Sequence, residues 1–174
     1  MTLDQLLGEH ALLAVSATQK GYDGSADFAD VAGQLDGNSV ALSKAIAGIY
    51  GADAGNQFLD GKNMWRDHIT DFVNYTVALK KGDKAGQAKA VAALGKYVTQ
   101  FGSFLATATG LPAAAAQSDL AAHVSQLKSQ IDAYAAGDYK KSAMYTDEAY
   151  MHMFMTGQIL AGGIVAQSPD KFTS

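Results

Sequence analysis

Trp65-Arg66-Asp67-His68-Ile69-Thr70-Asp71-Phe72-Val73-Asn74-Tyr75-Thr76-Val77-Ala78-Leu79-Lys80-Lys81-Gly82-Asp83 is the stretch from which the fold can be read. Trp65, His68, Phe72, Thr76 and Leu79 recur at three- and four-residue intervals, so they share one face of an α-helix. Gly82 then suits the left-handed position that ends a helix, and Asp83 suits the cap that starts another. Helix, tight turn, helix is the expected unit.

The same grammar occurs three times. Units run roughly over 2–51, 63–110 and 118–167, with turns at Gly21-Tyr22-Asp23-Gly24-Ser25, Gly82-Asp83 and Gly137-Asp138. An internal repeat of this kind organises a chain before any single element is assigned. Thr2 and Gln5 have capping-box spacing, Gly110-Leu111-Pro112 stops one helix and permits the next, and Ser168-Pro169 ends the last. Residues 53–60 read as a short extra turn between units. No segment alternates with a period of two, so no strand is expected. The prediction is an all-α fold, a bundle of about six helices built from three helical hairpin repeats, as a single domain over 1–174.

Composition agrees. The chain is 48% hydrophobic and 17% charged with only two prolines, which favours a compact helical domain over a sandwich or a disordered chain. A net charge of −4, a single arginine and scattered lysines supply no basic stripe, which argues against a nucleic-acid partner. The absence of cysteine excludes thiolate chemistry and zinc ribbons. No apolar run approaches twenty residues, so no transmembrane segment is expected, and Met1-Thr2-Leu3-Asp4 lacks signal-peptide character.

The four histidines share a level. His10, His68 and His123 each precede a turn by about fifteen residues, and His152 follows the last turn by nearly the same distance, so antiparallel helices bring them to one height. Each falls on an apolar stripe: Leu3, Leu6, His10, Leu13, Ala17; then the stripe of His68; Leu120, His123, Leu127, Ile131, Tyr134; and Tyr145, Ala149, His152, Thr156, Ile159. The equivalent positions on the remaining arms are Asn38 and Tyr97. A polar layer inside an apolar core must be satisfied by itself, by water or by a ligand. One histidine on an apolar stripe is ordinarily a core residue bonded to a backbone carbonyl; four at one level point to a metal or cofactor layer.

Met151-His152-Met153-Phe154-Met155 bears on the choice of ion. Met151 and Met155 share a helix face beside His152, and thioether with imidazole is a soft set that suits copper. The expected metal ligands are therefore His10, His68, His123, His152 and Met155, with Asn38 and Tyr97 as cofactor-binding positions and copper preferred over iron or zinc. Glu9, Asp67, Asp119 and Glu148 lie near the histidines and suit roles in orienting imidazoles. Phe72, Phe101, Phe104 and Tyr97 leave room for a haem between two axial histidines, although no haem-attachment sequence is present. Arg66 reads first as a surface ion pair, with Asp67 or Glu9 among its candidate partners.

Leu7-x-Glu9-His10, Leu35-Asp36-x-Asn38-Ser39, Trp65-Arg66-x-His68-Ile69, Tyr75-Thr76, His123-Val124 and His152-Met153-x-Met155 carry a resemblance. Over nearly its full length the chain resembles a group of exported bacterial helical-repeat proteins, some labelled copper amine oxidase-like through an attached domain. The resemblance implies an extracytoplasmic, multi-helix protein. The histidine layer itself leaves three function classes open: a metal-binding bundle, an interaction or ligand-carrying module in which the polar layer is structural, and a metal- or haem-dependent redox enzyme.

Overall fold

The computed structural model describes residues 2–172 and is an all-α bundle, with no strand among the described residues. Six long helices carry it: α1 (Leu3–Asp23), α2 (Phe28–Tyr50), α4 (Trp65–Lys80), α5 (Lys84–Thr109), α6 (Ala113–Ala135) and α7 (Tyr139–Gln167). A nine-residue helix, α3 (Ala52–Asp60), occupies the segment expected to be a short turn, and a 3₁₀ turn at Pro169–Lys171 follows α7. No helix among the described residues is long and apolar enough to cross a membrane.

The punctuation works as local chemistry requires. Gly82 and Gly137 adopt φ of 68° and 74°, the left-handed region that side chains disfavour. Directly after them, the Asp83 carboxylate accepts from the Gly86 amide at 2.9 Å and that of Asp138 from the Lys141 amide at 3.1 Å. Each cap satisfies one amide that the first helical turn leaves unpaired. The first turn departs from expectation, because α1 continues through Gly21 and Tyr22 and stops only at Gly24, with φ of 73°. Helix α6 likewise starts at Ala113, five residues ahead of the expected unit.

Helices α4, α5, α6, α7 and α1 follow one another round the bundle, each packed on the next, and α1 closes the circuit against α4. Within it α1, α4 and α6 touch one another, while α2 lies on α1, and α3 folds back on α2 and reaches α4. The α1–α7 crossing is made close by small residues. A Cβ added to Gly157 would lie 2.3 Å from the Asp4 Cα, and one added to Gly8 would lie 2.9 Å from the Tyr150 ring. Ala11 and Ala149 are fully buried beside them.

The core is one cluster of aliphatic and aromatic side chains, including Leu42, Trp65, Leu94, Tyr97, Phe101 and Leu120, all essentially inaccessible. Burying each contributes about 1.5–3 kcal/mol of transfer free energy. Buried polar groups tie helices together within it. Gln130 donates to the Ser142 hydroxyl at 2.9 Å, and Ser43 donates to the Gly55 carbonyl at 2.8 Å, which fixes α3 on α2.

Candidate metal centre

Each of the three mutually touching helices delivers one histidine to their junction. His10 of α1, His68 of α4 and His123 of α6 are 0%, 1% and 1% exposed. Their ring centroids stand 5.4 Å (His10–His68), 6.1 Å (His10–His123) and 6.4 Å (His68–His123) apart. One nitrogen from each ring can be chosen so that all three lie within 4.8 Å of one another. An ion with tetrahedral bonds of about 2.0–2.1 Å places ligand nitrogens roughly 3.3 Å apart, so closure takes a swing of at most about 1 Å per ring.

The hydrogen-bond accounting at this junction is incomplete. Both ring nitrogens of His10 and both of His123 are buried without a partner. A neutral imidazole carries one donor and one lone pair, and leaving either unpaired in the interior costs about 1–3 kcal/mol. His68 differs: its Nδ1–H donates to the Trp65 carbonyl, which leaves the lone pair on Nε2. Burial holds all three rings neutral and ready to ligate. It drives the His10 pKa well below the ordinary value, and the repulsion that a proton on His10 would meet from a protonated His68 or His123 adds to this. It pushes His123 to about 3, with His68 and His152 adding to the effect, and His68 to about 3 against the opposing pull of the Trp65 carbonyl.

Aromatic rings enclose the group. Trp65 lies 4.5 Å from His10 and 4.9 Å from His68, and its indole N–H donates to the Ser39 hydroxyl at 3.1 Å. Ser39 in turn donates to the Leu35 carbonyl, so α2 holds the indole that holds the histidines. Tyr97 stacks on His68 at 4.4 Å with the planes 15° apart, and Phe101 and Phe104 continue the stack. These rings pack on one another and occupy the positions expected to wall a haem.

The remaining members of the expected layer sit elsewhere. Asn38 is buried, but its amide donates to the Leu6 carbonyl at 3.0 Å and to Glu9 at 2.8 Å, so it sets the register of α2 on α1. His152 is on α7 at the rim, its side chain 21% exposed, with Nε2 donating to the Asp119 carbonyl at 3.1 Å. The inward face of α7 is Ala149, Met153, Thr156, Leu160 and Ile164, and the expected stripe through His152 and Ile159 is rotated from it. Met155 is 56% exposed and Met151 47% exposed, so neither sulfur is brought to the buried histidines, whereas Met153 is buried at 2%. Arg66 bridges Asp36 and Asp60 at 2.8 Å, linking α2 and α3 to α4, and Asp67 accepts from the Asn63 amide.

Two features escape a reading of the sequence. Thr156 donates to both oxygens of Asp119, at 3.0 and 2.9 Å, one turn from His152 on the same helix. The four-residue spacing of His152 and Thr156 was the available signal. An apolar cavity of about 30 Å³ also adjoins the centre, with Trp65, Phe101, Leu7, Leu120 and Met153 in its wall.

Fold and site together define a helical-bundle protein with an internal three-histidine cluster. The chain matches no known protein family, no curated protein and no solved structure.

Proposed function

We propose that this protein binds one transition-metal ion between His10, His68 and His123, with copper preferred over zinc and iron. The observation that carries the reading is the set of four orphaned ring nitrogens on His10 and His123, buried where three imidazoles converge. An ion satisfies one nitrogen on each ring and removes part of a cost that an apolar replacement would never incur. The donor set is nitrogen-only and neutral. Copper heads the divalent affinity order, and Cu(I), with one charge, is cheaper to bury among uncharged ligands than a divalent ion. Iron would want carboxylate oxygen, and none belongs to the three-residue set.

Elemental analysis of tag-free protein, followed by copper and zinc titration of His10→Ala, His68→Ala, His123→Ala and His152→Ala, tests this. One ion per chain is expected, lost in the first three variants and retained in the fourth. Absence of stoichiometric metal with unchanged stability in every variant overturns it.

That outcome would favour the second reading, an interaction or carrier module with a structural polar layer. Its specific support is that Asn38, His68 and Gln130 each already have a protein partner fixing one helix against another or against its own turn. An extracytoplasmic setting rests on the resemblance alone and is tested by fractionation of the producing cell.

A further inference from the structure

The histidine cluster is sealed, so an ion needs a way in. Helix α7 holds His152 at the rim beside α6, its side chain 21% exposed, with Nε2 3.1 Å from the Asp119 carbonyl and 3.4 Å from the Asp119 carboxylate. A backbone carbonyl can only accept, so in the neutral ring the Nε2 bound to the Asp119 carbonyl carries the proton and Nδ1 has the lone pair. Asp119 lies one helical turn before His123 on α6, and Thr156 clamps its carboxylate with bonds to both oxygens. Asp119 also borders a crevice of about 130 Å³, whose wall includes Thr156, Leu111 and Ile159.

We propose that His152 and Asp119 form the entrance to the buried histidine site. The bare Nδ1 of His152 captures the cation from solvent, and the Asp119 carboxylate offsets its charge during transfer to His123. Thr156 positions the carboxylate. No carboxylate belongs to the buried set, and Asp119 places one a helical turn from His123.

The inference rests on the metal-binding reading, and the two can fail separately. The probe is aqueous copper added to metal-free full-length protein in stopped flow, with Trp65 emission as the signal and equilibrium stoichiometry measured in parallel. His152→Ala and Asp119→Asn are each expected to slow association by about tenfold, the scale of lost electrostatic capture, with one ion still bound at equilibrium. His152→Gln, which keeps a hydrogen-bonding side chain, serves as a second variant if alanine loosens α7. Thr156→Val is expected to slow loading less than Asp119→Asn. Unchanged association in both His152 variants and in Asp119→Asn, with one ion bound, overturns the entrance and leaves the buried site standing. Faster dissociation at an unchanged association rate overturns it too, because His152 would then be a ligand. Failure of the unaltered protein to bind copper removes the underlying reading.

Discussion

The indole of Trp65 stands 4.5 Å from the imidazole of His10, ring centre to ring centre, with the two planes inclined at 50°. Trp65 is the sole tryptophan of the chain, so its emission reports on the cluster and on nothing else of its kind. Copper titration is expected to quench that emission to a sharp break at one equivalent, and His10→Ala to abolish the break. A featureless titration of the unaltered protein would contradict the site.

Metal-free His10→Leu is expected to be more stable than the unaltered protein. The substitution removes two unpaired buried nitrogens and retains comparable volume, a gain of about 1–3 kcal/mol. The same variant should lose the rise in melting temperature that copper gives. A metal-free His10→Leu protein clearly less stable than its parent in calorimetry would show that the ring has a structural partner.

Acid should unfold the protein through these histidines. Their folded pKa values lie far below the unfolded value of 6.5, at about 3 for His68 and His123. Above pH 6.5 both states are neutral and the stability is intact. As pH falls, the unfolded chain takes up protons that the folded chain refuses, and each ring withdraws about 1.4 kcal/mol per pH unit until the native groups titrate. Chemical denaturation at a series of pH values is expected to show uptake of nearly three protons on unfolding between pH 6 and 4. Bound copper should displace the loss to lower pH. Constant stability across that window would exclude buried neutral histidines.

Gly157→Ala is expected to cost about 1–3 kcal/mol, since the new methyl meets backbone and no rotamer relieves it. Gly162→Ala on the same helix has open space around its Cβ and should gain about 0.5–1 kcal/mol. Thermal melts of the pair separate close packing from helix propensity. Equal effects in both would mean that α1 and α7 do not cross at Gly157.

The three buried histidines were legible because two independent signals agreed on them. Distance to the turn gave height, and the stripes through Leu6, Phe72 and Leu120 gave direction. His152 instead lies at the rim, because the direction read for it was not the inward one. Helix α7 carries Met144, Met151, Met155 and Ile159 on its exposed side as well as Met153 and Leu160 within, so apolar residues surround it and periodicity selects no unique face. The same ambiguity misdirected Met155. Asn38 was correctly expected to be buried, yet its partners on α1 follow from helix packing, which no local pattern encodes. Helix α3 exceeded its expected turn because Gly55 lets it lie flat on Ser43 and Ala47 of α2, a tertiary contact.

Because the three imidazoles come from the first, fourth and sixth helices, no stretch of chain that lacks one of them can retain the ion by this geometry. Coordination of an ion there would therefore be a late event, available only to molecules whose distant segments have already assembled. On the proposed metal-binding reading, metal content per chain would count correctly assembled molecules, and an ion, once seated, would staple residue 10 to residue 123 against the unravelling of either end.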